Sequence, residues 1–326
     1  MEIENEKYRF IPAEGKDFDV DIYMPAYQHE KFVAQAIESV LMQETKYRYR
    51  MVICEDCSND GTRDIVMKYR EKYPEKIAVL LWKKNSRQLG LTNGRIGRRF
   101  CDSKYYAALE CDDFWIDRKK LEKQITLLEY HPEYIACVHN VIKVDENGEI
   151  LHRDYSQYPI REEHVLTKKD AIAFKHEYQT ATLVTRNIFR DWEQEVFERY
   201  SAVRANGDRK NFTIICMNGD IFYMREAMSA YRRTYGTDSY NSMIAGHNQS
   251  YKIYSDCYNI SKYVKEELNT DMPVEEICFT CWVGAMQILT QKPDSENMKV
   301  FLRLTKALFK RHGRFLSLKL IKGMGR

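Results

Sequence analysis

Residues 49–62 read YRMVICEDCSNDGT, and their pattern sets the architecture. Tyr49 to Asp56 is an apolar, β-branched run that ends in two acids, Glu55 and Asp56. CSNDGT (57–62) is a turn carrying a capping Ser or Asp, and Ile65, Val66, Tyr69 and Tyr73 then recur at helical spacing. A strand that closes in acid and passes through a short turn into an amphipathic helix is one β-α unit.

The same unit repeats on either side. Upstream, VDIYMPAY (20–27) is a short strand ended by Pro25, followed by a helical stripe of Phe32, Val33, Ala36, Ile37, Val40 and Leu41. Downstream, IAVLLW (77–82) is a third strand. A polar loop and a helix over 91–100 precede a fourth strand, 105–110. Asp117 is a candidate cap for a helix carrying Leu121, Gln124, Ile125 and Leu128, which stops before Pro132. Four such repeats predict an α/β fold with an open, mostly parallel sheet and helices on both faces. Ligands of such sheets bind beyond the carboxyl ends of the strands. Two acid clusters fall there: Glu55-Asp56, and Glu110, Asp112 and Asp113 within LECDDFW (109–115).

Beyond residue 134 the pattern is less regular. YIACVHNVIKV reads as a strand and DENGEI as a turn between hairpin arms, while TATLVTRNIF (180–189) and GDIFYMREAMSAYR (219–232) read as further strand pieces. From about 240 to 291 the pattern is helical, and a basic tail follows. The expected division is 1–235 as one domain, with 18–130 and 131–235 as its halves, and 236–326 as a helical C-terminal region.

Composition narrows the class. The 326 residues are 44% hydrophobic and 30% charged, with a formal charge of +3, which suits a folded core and gives no overall pull toward nucleic acid. From Met298 to Arg326 there are nine Lys or Arg and no acid. MEIENEKYRF lacks the apolar core of a signal peptide, and no run reaches the roughly 20 apolar residues of a membrane span. The nine cysteines are scattered, so the expectation is reduced thiols in a cytoplasmic protein. C-x-x-C spacing occurs at Cys54/Cys57 and Cys278/Cys281, where turn and core thiols are favoured over a joint zinc site.

There is no phosphate-binding G-x-x-x-x-G-K-S/T loop, and MPAYQHE stands where a dinucleotide fold would place G-x-G-x-x-G. A carboxylate pair holding Mg²⁺ or Mn²⁺ is the alternative way to receive a diphosphate. On the residues alone, Asp112 is either such a ligand or a salt-bridged strand end. Glu55 and Asp56 either accept hydrogen bonds from a base or ribose or cap the helix that follows them.

VDIYMPAYQHEKFVAQAIESVLMQ, YRMVICEDCSNDGT and YYAALECDDFWIDRKKLEKQ together resemble a family 2 glycosyltransferase of the GT-A fold, the bacterial type that builds polysaccharides and glycolipids. NGDRKNFTIICMNGDIFYMREAMSAYR resembles its acceptor-side segment, and the likeness runs from 18 to about 235. The resemblance implies a UDP- or dTDP-sugar donor, a Mn²⁺ or Mg²⁺ ion, and a saccharide or lipid-linked acceptor. It places Pro25, Ala26, Tyr27, Glu55, Asp56, Asn85, Arg95 and Glu110 on the nucleotide side, and Asp112 on the metal. Asp113 would face the acceptor or orient the shell. Asp208 would be the general base of an inverting transfer, with Asp220 of the second Gly-Asp pair left as a turn residue.

Three departures from the family pattern stand out. Glutamate opens the acid motif; KKNSRQLGLTN lacks the glycine usual near Arg87 and the arginine usual near Thr92, leaving Arg87, Arg95 or nothing on the diphosphate; and no Q-x-x-R-W motif is present, which favours single addition over processive synthesis. A sugar-phosphate nucleotidyltransferase would carry a glycine-rich loop where PAYQHEK stands, and a non-catalytic sugar-nucleotide-binding domain is the other alternative. The tail over 298–326, with Val300, Phe301, Leu304, Leu308, Phe315, Leu316 and Leu320 among basic residues, reads in one of three ways. It is a helix on the inner face of an anionic membrane, a helix docked on the domain, or a dimer contact.

Overall fold

A computed structural model of the chain describes residues 2–151, 161–233 and 248–323, with side chains as far as His312. The chain divides into two compact units. The first takes in Met1–Lys168, Glu177–Phe197 and Ile215–Arg233; the second takes in Lys169–His176, Glu198–Ile214 and Thr234–Arg326.

The first unit is built on a sheet of β1 (Ile3–Glu4), β2 (Tyr8–Ile11), β3 (Val20–Ala26), β4 (Tyr49–Glu55), β5 (Ile77–Trp82), β6 (Tyr105–Ala108), β7 (Phe114–Trp115), β8 (Tyr134–Val144), β9 (His164–Leu166), β10 (Val184–Arg186) and β11 (Asp220–Arg232). Their order is β1-β2-β5-β4-β3-β6-β10-β8-β11-β7, with β9 also on β11. The block β5-β4-β3-β6 is parallel, as is the long β8–β11 pair, while β10 runs antiparallel between β6 and β8.

Within that block the chain steps from β3 outward to β4 and β5, then returns to lay β6 on the other side of β3. The strand order therefore reverses between β3 and β6, and their carboxyl ends are where sheets of this kind bind their ligands. Side chains of β3 alternate between two cores, as a period of two requires. Val20, Ile22, Met24 and Ala26 join Val33, Ala36, Ile37 and Val40 of helix α1 (Val33–Leu41). Tyr23 faces Val52, Leu80 and Tyr106 in the other core.

Pro25 does not end β3, as the sequence suggested; the strand continues to Ala26, paired with Glu55 of β4. Proline is tolerated because β6 stops pairing at Tyr23↔Ala108, so the missing N–H faces no ladder acceptor. Other boundaries differ from expectation in small ways. The fourth strand closes at Ala108, leaving Glu110 in the loop beyond it. The helix expected over 91–100 is a short α-helix, Asn93–Gly97, running into a 3₁₀ turn. Asp220 opens β11, paired with Tyr134, and is not a turn residue.

In the second unit, helices Ser250–Leu268, Val274–Gln291 and Ser295–Gly323 bury Cys257, Ile260, Val264, Cys278, Ala285, Leu304 and Leu308. The last of them breaks at His312 (φ −126°, ψ 25°). The side chains of Phe315, Leu316 and Leu320 and the expected helical pattern before 248 lie outside the described residues. All nine cysteines are free thiols. No described helix is long and apolar enough to cross a membrane.

Candidate active site

The carboxyl end of β4 is closed by its own chain. Glu55 is fully buried; one oxygen accepts the Ser58 N–H (2.7 Å) and the other pairs with Arg63 (2.5 Å), whose guanidinium also reaches the Trp82 carbonyl (2.6 Å). Asp56 is almost as deeply buried. Ser86 binds it twice, through its N–H (2.6 Å) and its hydroxyl (2.9 Å), and the Asn85 amide stands at 3.3 Å. Burial pushes the Asp56 carboxyl above its ordinary range, and the two Ser86 bonds hold it back. Asn85 in turn caps a 3₁₀ turn by accepting the Arg87 N–H.

The loops after β3 and β4 are laced together. Gln28, at φ +56°, donates its N–H to Ser58 and its amide to Asn59; His29 N–H reaches Thr62, and Glu30 N–H reaches Asp60. This lacing leaves Tyr27 42% exposed beside buried Ala26, so an aromatic face stands at the carboxyl end of β3. Arg95 sits in the first helical turn capped by Thr92, half-buried and without an ion pair among the described residues.

The end of β6 is built differently. Leu109 N–H bonds the Tyr23 carbonyl and Cys111 N–H the Pro25 carbonyl, so the loop hangs from β3 after pairing has stopped. Glu110, Asp112 and Asp113 converge there, with one carboxylate oxygen of each within 4.8 Å of the others. Asp113 is 2% exposed; its oxygens accept the Gln179 amide (2.5 Å) and the Arg232 N–H (2.8 Å). Burial, and then the neighbouring Asp112 charge, raise its carboxyl well above the usual range, against the pull of those two bonds. The Asp112 carboxylate has no hydrogen-bond partner among the described residues.

Arg232, the last residue of β11, holds this loop. Its Nε donates to the Asp112 carbonyl (2.8 Å), and its guanidinium reaches Gln35 (2.5 Å) and the carbonyls of Asp145 and Glu146. The group lies over the rings of Phe32 (4.6 Å) and Phe114 (5.2 Å). Beneath the loop, Trp115 bonds Ser39 and the Ala181 carbonyl, and the fully buried Lys120 ammonium lies 4.2 Å from its ring.

Three clustered acids repel one another unless a cation is supplied. Arg232 hydrogen-bonds the backbone side of the loop and acts on Asp113 and Asp112 through its charge, but it donates no hydrogen bond to the Asp112 carboxylate. Hard divalent cations favour oxygen ligands in this arrangement, so the residues present fit Mg²⁺ or Mn²⁺, which the Asp112 and Glu110 carboxylates could hold while Asp113 fixes the loop.

Asp208 belongs to the second unit, in the first turn of helix Gly207–Met217, capped by Asn206. Arg209 beside it is anchored to buried Asp256 (2.7 Å), and Asn259 holds the Arg204 carbonyl, so the turn bearing Asp208 is fixed on helix Ser250–Leu268. Sequence reasoning missed Ser86, Gln179 and Arg232 as partners of the site acids. Ser86 lay inside the quoted loop, but nothing in spacing joins Arg232 to Asp113, 119 positions earlier.

A sequence model described as Glycosyl transferase family 2 matches residues 21–193, which contain both acid clusters. The chain belongs to that family and has its GT-A type of fold. Among its relatives, an uncharacterized protein of Mycobacterium tuberculosis is 27% identical over 220 residues, 64% of this chain and 57% of that one. The UDP-Glc:alpha-D-GlcNAc-diphosphoundecaprenol beta-1,3-glucosyltransferase WfgD of Escherichia coli is 31% identical over 112 residues, 34% and 42% of the two chains. The chain thus spans little more than half the length of the mycobacterial relative. The structure of S. aureus TarS 1–349 in complex with UDP-GlcNAc shares the fold, at a TM-score of 0.59 and 15% identity, over 88% of this chain and 79% of that one.

Proposed function

We propose that the chain transfers a sugar, with inversion, from a UDP- or dTDP-linked donor to a hydroxyl of a saccharide or lipid-linked acceptor in surface polysaccharide or glycolipid synthesis. The observation that carries the reading is the convergence of three acids at the reversal point of a family 2 sheet, with the Asp112 carboxylate holding no hydrogen-bond partner among the described residues. Pro25, Ala26 and Tyr27 form one wall of the donor crevice, and Asp56, held by Ser86 and Asn85, forms another. Glu55 fixes the turn beneath them, and Arg95 is the nearby cation for the nucleotide side.

A Mg²⁺ or Mn²⁺ ion on Asp112 and Glu110 would offset the charge that builds on the departing diphosphate. Asp113 acts by positioning, since Gln179 and Arg232 already use both of its oxygens. Inversion is a single displacement and needs one base to take the acceptor proton as the new glycosidic bond forms. Asp208 is the carboxylate assigned that task, in a turn its neighbours hold rigid. The named donor of the E. coli relative supports the UDP class, and its diphosphoundecaprenol acceptor supports the lipid-linked one.

Calorimetric titration with UDP, dTDP, GDP and ADP, each with and without Mn²⁺, tests the donor site in wild type and Asp112→Ala. Binding of UDP or dTDP that requires both the ion and Asp112 is expected. A folded protein that binds none of the four would overturn the reading. Diphosphate binding with no transfer from any UDP-sugar would favour a non-catalytic binding domain. The anomeric configuration of a product, read by NMR, tests inversion directly.

A further inference from the structure

Helix Ser295–Gly323 carries an exposed apolar line that its own unit does not cover. Met298, Leu302 and Phe309 are 44%, 55% and 65% exposed. Separations of four and seven residues place them within about 40° of one another on a helix. The opposite face is buried: Leu304 and Leu308 are fully enclosed, and Trp282 donates its indole N–H to Thr305 (2.9 Å) on that docked side. So the line is not a misplaced core face. It remains once the core face has been used.

Charge along the same helix is one-sided. Lys299, Lys306 and Lys310 fall roughly 40–80° beyond Leu302, forming a basic margin to the apolar line. All three are exposed and make no ion pair among the described residues. Arg303 and Arg311 are turned away onto the rings of Tyr251 and Tyr258. Acids occur only before Met298, at Asp294, which caps the helix, and Glu296 in its first turn.

We infer that this face of the C-terminal helix seats the protein on an anionic lipid surface, with Met298, Leu302 and Phe309 entering the headgroup region. Lysine stems can lie along apolar surface while their ammonium groups reach lipid phosphates. A second copy of this chain is the poorer occupant, because a two-fold contact would set this lysine margin against itself. The inference rests on helix geometry and charge and is independent of the transferase reading.

Full-length protein is sedimented with vesicles of phosphatidylcholine alone and of phosphatidylcholine with 30% phosphatidylglycerol, at low and high salt. A lysine beside an anionic surface contributes roughly a five-fold gain in partitioning. Wild type should bind the anionic vesicles at low salt, bind neutral ones weakly, and lose most of the difference in high salt. K299Q/K306Q/K310Q should reduce anionic partitioning by about a hundred-fold. L302D/F309D should abolish binding to both, with its thermal melt and circular dichroism spectrum showing that it is folded. Equal binding to both vesicle types, or binding that neither variant changes, would overturn the inference. So would a wild-type dimer that L302D/F309D dissociates in sedimentation velocity, which would assign the face to a second copy. Capture of a single-stranded oligonucleotide without vesicle binding would assign it to nucleic acid.

Discussion

The ends of β4 and β6 lie on the same edge of one sheet, flank the same central strand and carry acid clusters of similar appearance. Their surroundings differ. At β4, Arg63 and Ser58 occupy Glu55, while Ser86 and Asn85 occupy Asp56, so the chain satisfies every acid it places there. At β6, Gln179 and Arg232 hold Asp113 by hydrogen bonds, while the Asp112 carboxylate has the Arg232 charge nearby but no hydrogen-bond donor among the described residues. An acid with internal partners is a structural element that can present a shaped wall. One without them is stable only with something from outside. Acid at a strand end therefore does not identify a site; the accounting of its partners does.

Substitutions at the two ends should separate those roles, beginning with the strongest. Asp112→Ala should weaken Mn²⁺-dependent diphosphate binding by more than about 100-fold, judged against the 10–100-fold typical of residues that merely support metal ligands. Its melting temperature should hold or rise, because one member of a repelling cluster is gone. A fall in stability with metal affinity intact would put Asp112 in the same class as Glu55 and erase the contrast.

Arg232→Ala should do both kinds of damage. It strips the Asp112 carbonyl, Gln35 and two further carbonyls of a donor, for a loss of about 3–5 kcal/mol in denaturant unfolding. The loosened loop should also cost about 10–100-fold in Mn²⁺ affinity. Arg232→Lys, which keeps the charge but not the planar fork, should recover little of either.

Glu55→Gln, at the satisfied end, should cost about 1–3 kcal/mol of stability through Arg63 and leave Mn²⁺ affinity unchanged. Calorimetry against chemical denaturation distinguishes this from the Asp112 result. A large loss of metal affinity in this variant would merge the two ends into one site.

The smallest effect concerns the floor beneath the β6 loop, where burial lowers the Lys120 ammonium to about 7. Between that value and the ordinary lysine range, the unfolded chain holds a proton that the folded one has released. Stability therefore rises with pH through this window, by up to about 1.4 kcal/mol per unit. Lys120→Met should remove that rise from unfolding curves taken between pH 7 and 9, while other groups contribute equally to both proteins. If the two curves stay parallel, the buried ammonium is not the source.

Much of this was legible in the sequence. The strand IAVLLW appears with both ends as expected, because six apolar residues, five of them buried, bounded by turn residues leave little freedom. The acids at 55–56 and 110–113 were visible for the same reason: charge after an apolar run is conspicuous. Their partners were not. Gln179 reaches Asp113 only because β10, three residues long, runs antiparallel between β6 and β8, and a segment that short has no periodicity to read. Arg232 looked like the close of a strand, and its role arises from β11 pairing in parallel with β8 over its whole length. The C-terminal helix was legible as amphipathic. Which of its apolar residues face inward could be settled only once Leu304 and Leu308 were seen to be enclosed and Leu302 and Phe309 exposed.

The central placement of β3 has a consequence for motion. It is hydrogen-bonded to neighbours on both sides and covered on both faces, and only Pro25 among its seven residues is not buried. Amide protons at Ile22, Tyr23 and Met24 should therefore exchange with solvent only when the whole unit comes apart, whereas the two-residue, exposed β1 can fray at little cost. Breathing at the sheet margins leaves Ala26, Glu55 and the carbonyls that carry the acid loop undisturbed. The acid-bearing edge thus has a rigid base, and any movement there must come from the loops above it.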